Sequence, residues 1–243
     1  MKTSNWVMSM VLALLASNTI AQTAAPAVSI SGNLGLFSDY RFRGISQTDR
    51  KPALQGGFDL SHASGLYLGN WNSNIDSAFY NGSNLEMDVY GGYRREFGGV
   101  GFDVGAIYYY YPGSGKAGAS KIDNTEVYVG ATFGPLSAKY SHAVSDFFSA
   151  PNTKGSRYFD LAFAQDLGNG LGINAHVGHQ RIRNTPPQTG RVTDFKVGVS
   201  YDLSGYVLGA SYIGTNRDRV AVGPQSGKDL GKDAFVLSVV KTF

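Results

Sequence analysis

The side chains that could do chemistry in this 243-residue chain are scattered charges at alternating positions and four histidines. The charges are Asp39, Arg41, Arg43, Asp59, Glu86, Asp88, Arg94, Glu96, Asp103, Glu126, Lys139, Asp160, Asp194 and Lys196. Each sits in a run where apolar and polar residues alternate, so all are expected on one side of a pleated surface. Arg41 and Arg43 are two apart and would form a basic ladder on one strand; Glu86 and Asp88 would form an acidic one on another. Rings of charge facing a water-filled bore bias which ions enter it. The same charges, paired across the bore, would instead close it.

The histidines point away from catalysis. Ser141 adjoins His142, but neighbours on a strand face opposite ways, so they do not form a nucleophile–base pair. His176 and His179 are three apart, which on a strand again means opposite faces, unlike the i, i+4 helical pair that binds zinc. The expectation is therefore no enzyme, no metal and no cofactor. The run Tyr108-Tyr109-Tyr110-Tyr111 splits by parity, two outward and two inward, which favours interface and lumen packing over a carbohydrate track.

The elements carrying these residues read as strands. Val28–Arg43 alternates throughout, with Val28, Ile30, Leu34, Leu36, Tyr40 and Phe42 on one face. Further strands are expected over 52–61, 65–72, 84–97, 100–111, 124–133, 136–144, 157–167, 170–182, 193–203 and 206–215, and the last over 232–243. Tight connections (62–64, 98–99, 134–135, 168–169 and 204–205) alternate with long ones rich in Gly, Ser, Asn and Pro. Short turns at one end and long loops at the other are the habit of bacterial outer-membrane barrels. The expected fold is an all-β, twelve-strand antiparallel up-and-down transmembrane barrel in which the last strand pairs with the first, because closure removes both sheet edges. A soluble sandwich or lipocalin-like barrel would also alternate. Against it, aromatics collect at strand ends: Tyr40, Phe42, Phe97, Tyr108, Tyr110, Phe133, Tyr201, Tyr206, Tyr212 and Phe243 could form two interface girdles. Lys241 shares the outward parity of Val239 and Phe243, and is tolerable only near an interface, where lysine can snorkel.

Composition agrees with export. Lys2, the apolar run Val7–Ala16 and Thr19-Ile20-Ala21 read as a secretory signal over residues 1–21, followed by a short segment, 22–27, and the barrel, 28–243. After Ala21 no apolar run approaches the roughly 18 residues of a membrane helix. There is no cysteine, so strand pairing must hold the fold. The net charge of +3 comes without a basic stripe, so no nucleic-acid partner is expected.

The first hairpin carries a motif. Ser38-Asp39-Tyr40-Arg41-Phe42-Arg43-Gly44-Ile45-Ser46-Gln47 runs on through Pro52-Ala53-Leu54-Gln55-Gly56-Gly57-Phe58-Asp59 to Gly65-Leu66-Tyr67. It resembles the TorF family of proteobacterial porins, most strongly over residues 30–75 and more loosely through Glu86–Tyr93 and Tyr111-Pro112. The resemblance implies a barrel in the Gram-negative outer membrane acting as a channel. Its expected partners are outer-membrane lipid and lipopolysaccharide, the barrel assembly machinery, and small solutes or ions passing by diffusion. Neither the solute nor the oligomeric state follows. The alternatives are a plugged structural or adhesive barrel, or an outer-membrane lipase or protease.

Overall fold

A computed structural model of the chain describes residues 27–115 and 118–243. The expected export signal, residues 1–21, lies outside the described residues.

Twelve strands close into one antiparallel barrel: β1 (Val28–Phe37), β4 (Ala53–His62), β5 (Leu66–Asn74), β6 (Leu85–Phe97), β7 (Val100–Tyr110), β8 (Asp123–Phe133), β9 (Leu136–Ala143), β10 (Arg157–Gly168), β11 (Leu171–Arg181), β12 (Arg191–Leu203), β13 (Tyr206–Thr215) and β14 (Ala234–Thr242). Two further short strands, β2 (Arg41–Phe42) and β3 (Ile45–Ser46), pair only with each other. Each barrel strand pairs with its neighbour in sequence, and β14 pairs with β1 from Asn33 opposite Thr242 to Phe37 opposite Ser238. Gly32 and Phe243 exchange backbone hydrogen bonds of 2.7 and 2.9 Å beyond that ladder, so the seam is bonded to its end. The tight turns use residues that tolerate positive φ; Gly98 and Gly99, at 58° and 79°, make the two-residue hairpin between β6 and β7.

The wall has its apolar side outward. Leu36, Phe58, Leu68, Val129, Val197 and Leu237 are 60, 59, 56, 53, 61 and 61% exposed. They belong to a continuous apolar band around the barrel, far beyond the few hundred Å² of patch a soluble monomer shows. A soluble barrel would bury this face, and that alternative falls here. Phe97, Phe133 and Phe243, at 64, 64 and 66% exposed, edge the tight-turn end. Lys241 lies opposite Tyr206, beside the tight turn at Ser204-Gly205, and its ammonium sits 4.5 Å from the Tyr206 ring centroid. It is therefore at the rim of the band, the one depth at which its parity is tolerable.

The first strand is shorter than its alternation suggests. It ends at Phe37, not Arg43. Ser38 makes the last wall contact, donating to the Leu237 carbonyl and accepting from the Leu237 amide through its hydroxyl, both at 2.9 Å. The chain then folds into the lumen. Asp39 is the pivot: its carboxylate accepts from Ser46 Oγ at 2.6 Å and Thr48 Oγ1 at 3.2 Å, and pairs with Arg41 Nε at 2.6 Å. Arg43 and Gly44, with φ of 48° and 79°, turn β2 back into β3. Tyr40 and Phe42 are accordingly not girdle residues. Tyr40 is 3% exposed and meets Trp71 edge-on, while Phe42 packs on Tyr109 and Phe148. With Ile75, Tyr80, Tyr111 and Tyr128 they form an aromatic core inside the long-loop half of the barrel, on the β4–β8 side.

Candidate functional site

The inward-folded segment, residues 39–50, crosses the lumen. Its tip reaches the far wall. A Cβ on Gly44 would stand 2.6 Å from Thr215 Cγ2 and 2.7 Å from Asp194 Cβ, so only glycine fits against β12 and β13 there. Arg43 donates to Glu126 on β8 at 2.7 Å and to Gln180 on β11 at 2.5 Å. Its guanidinium also lies 4.2 Å from the Tyr158 ring centroid on β10 and 4.7 Å from that of Phe42. One arginine thus ties the hairpin to three wall strands.

Arg41 does something else. Its Nη1 donates to the carbonyls of Gly44, Leu230 and Lys232 at 3.0, 3.1 and 2.9 Å, joining the hairpin to the last long loop, residues 216–233. The expected basic ladder of Arg41 and Arg43 does not exist. Arg41 lies on a two-residue strand off the wall and Arg43 in the turn that follows it, and they are consumed by different partners. Asp39, expected on that same strand face, is the hairpin's internal anchor.

The acids on the wall stay together. Glu86 and Asp88 on β6 and Glu126 on β8 are each 1% exposed. Glu86 accepts from Tyr111 at 2.8 Å, but its second oxygen and both oxygens of Asp88 have no hydrogen-bond partner among the described residues. Across the lumen, His176 bridges Asp160 at 3.0 Å and Asp194 at 3.5 Å, and Tyr158 donates to Asp194 at 3.1 Å. Lys139 faces Asp160 across the β9–β10 ladder and covers the Tyr128 ring at 4.2 Å; Lys196 faces His176 across β11–β12.

Towards the tight turns the lumen is polar and half-exposed. Asp59 accepts from Tyr90 at 2.7 Å, Asp103 from Tyr67 at 2.6 Å, and Arg94 pairs with Asp103 at 3.4 Å. Glu96 is exposed at the rim, beyond the enclosed part of the bore. The lumen therefore has two halves: a polar, half-exposed one towards the tight turns and one filled by hairpin and aromatics towards the long loops.

Sequence parity placed the wall charges but missed Tyr158, Gln180 and the aromatic core. The local signal for the turn was Gly44, which tolerates the positive φ it adopts, directly after the alternation ends. Ser141 is buried inward and His142 lies on the outer parity; His176 faces inward and His179 outward. Among the described residues no group of three His, Cys, Asp or Glu is placed to hold a metal ion.

A family model described as "Bacterial protein of unknown function (Gcw_chp)" matches residues 21–243. No curated protein matches the chain. Solved structures that share the fold include two porins. One is the KdgM porin in complex with disordered oligogalacturonate, 10% identical, TM-score 0.54, covering 88% of this chain and 98% of the porin. The other is the NanC porin in a rhombohedral crystal form, 9% identical, TM-score 0.55, with the same coverage of 88% and 98%.

Proposed function

The chain belongs to the Gcw_chp family of bacterial proteins of unknown function, and from the architecture of its lumen we propose that it is an outer-membrane porin-like channel for small hydrophilic solutes or ions. The reading puts the long-loop end at the cell surface and the tight-turn end in the periplasm, the arrangement usual for such barrels. The observation that carries it is the pairing of an outward apolar band with a charged lumen crossed by one arginine. A fold held only for structural purposes gains nothing from buried carboxylates whose oxygens find no protein partner, because desolvating them is costly. In a bore they are useful: they attract cations and repel anions. The porin likeness in fold and the TorF-like motif over residues 30–75 support the same reading.

The selectivity proposed is a preference for cations. Glu86, Asp88, Glu126, Asp160 and Asp194 lie on the inner side of the wall, against Arg43, Lys139 and Lys196. Arg41 is engaged with carbonyls and Asp39, so it adds little to the field in the bore. Purified protein in planar bilayers tests this. Discrete channels with a reversal potential on the cation side, moved towards zero by Glu86→Gln/Asp88→Asn, are expected. Silence in the bilayer sinks the channel reading, and anion preference sinks the selectivity. The second reading is a plugged structural or adhesive barrel. The aromatic core around Tyr40, Trp71 and Tyr111 favours it, and the same silence would favour it further.

A further inference from the structure

The outer wall carries a second feature that the channel does not use. Arg157, Arg181 and Arg191 lie side by side at one level: Arg157 is the ladder partner of Arg181, and Arg181 that of Arg191. Their parity is outward and all three are exposed. His142 extends the row onto β9 as the partner of Arg157, and Arg217, beyond β13, donates from Nε to the Arg191 carbonyl at 2.7 Å. Strand spacing of about 4.8 Å puts the three arginine backbones within roughly 10 Å.

Like charges directly opposite one another destabilise a sheet. Among the described residues Arg157, Arg181, Arg183 and Arg191 form no ion pair. One carboxylate, Asp146, also lines the groove above the row, accepting from the backbone amides of Asn152 and Lys154 at 3.3 and 2.9 Å, and it leaves the cations in excess. Above the row, the loops at 144–156 and 182–190 enclose a groove of about 820 Å³ lined also by Lys154, Arg183 and Asn184. Below it a smaller hollow is lined by Tyr140, Phe159 and His179. The apolar wall continues through Leu161 and Val177. The surface is thus cationic at the top and apolar underneath, within one step along the strands.

We propose that this face binds the phosphate groups of an outer-leaflet glycolipid, the phosphorylated lipid A part of lipopolysaccharide, with its acyl chains lying on the wall below. Charge and depth select that occupant. A row of guanidiniums at the edge of a lipid-facing band meets phosphorylated headgroups, which accept the paired donors that guanidinium presents. A soluble anion would satisfy the charge but leave the adjoining apolar hollow unused. The inference rests on the long-loop end facing outward, as proposed above.

Native mass spectrometry of the whole barrel in detergent tests it, with bisphosphorylated lipid A, its dephosphorylated form and inorganic phosphate as probes. The wild type should retain bisphosphorylated lipid A at least tenfold more strongly than the dephosphorylated lipid, and Arg157→Gln/Arg181→Gln/Arg191→Gln should lose that preference. Arg181→Gln alone, at the centre of the row, should lose part of it if the triple variant does not refold. Lys51→Gln/Lys121→Gln, elsewhere on the loops, should change nothing. Equal retention of both lipids, or displacement of lipid A by an equal concentration of inorganic phosphate, overturns the proposal. Conductance of the triple variant separates the two readings: unchanged channels with no lipid preference refute the lipid site and leave the channel standing.

Discussion

Replacing Arg43 by methionine tests whether the hairpin is clasped across the lumen. The Arg43 side chain is 9% exposed and that of Glu126 2%, with 2.7 Å between them. Removing the arginine leaves Glu126 buried with only long contacts, 3.4 Å from Tyr109 and 3.3 Å from Asn124. Breaking a buried pair by deleting one partner costs about 3–5 kcal/mol, because the other charge stays desolvated. The Tyr158 ring loses a cation as well, worth about 0.5–2 kcal/mol, and the upper half of the range follows. With an m of about 2 kcal/mol/M in urea, the midpoint falls by roughly 2 M. Arg43→Met/Glu126→Gln removes both charges and should recover most of this, since exchanging a buried pair for neutral residues is often close to neutral. Urea unfolding in lipid vesicles measures the cycle. Single-channel recording supplies the second readout, because a released hairpin widens the bore and raises conductance. A single-variant loss below about 1 kcal/mol, or losses that simply add in the double variant, would refute the clasp.

Three further outcomes follow from the same geometry. Burial pushes the Asp49 carboxyl up, but hydrogen bonds from Ser226, Lys51 and Lys228, with the Lys228 charge, hold it below the ordinary carboxylate value on balance. Its stabilisation of the contact between the first and last long loops is therefore present above about pH 4 and lost as pH falls through the lowered value; hydrogen-exchange protection of the 216–233 loop, taken relative to the intrinsic rate at each pH, should drop in acid, and Asp49→Asn should abolish that step. Gly178 leaves the space that the Tyr158 hydroxyl fills, so Gly178→Ala overlaps it and should cost about 1–3 kcal/mol while loosening the Arg43 contact, read by urea unfolding and conductance. Val129→Arg, on the lipid-facing middle of β8, should cost about 2–4 kcal/mol in vesicles, and an unchanged midpoint would mean that this face does not meet lipid.

The wall was legible because strand periodicity is local. Parity assigns Glu86, Asp88, Asp160 and Lys196 to one side whatever the rest of the molecule does, and alternating loop lengths imply an up-and-down order. The same rule misled at Val28–Arg43. Alternation continues through Tyr40 and Phe42, yet the chain leaves the wall at Ser38, since Asp39, Ser46 and Thr48 bond to one another in place of a neighbouring strand. The alternation itself does not show that its last five residues, Asp39 to Arg43, have no wall strand to pair with.

Sequence alone determined the class of fold, the number of wall strands, their inner and outer faces, and the closing role of the last strand. Each of these depends on the two-residue repeat and on turn chemistry, which act over a few residues. Tertiary structure decided the rest: that the first long loop occupies the lumen, that Arg43 spans it to Glu126 and Gln180, and that three outward arginines from separate strands form one row. Those contacts join residues tens to more than a hundred positions apart in sequence, and only barrel closure and register bring them together.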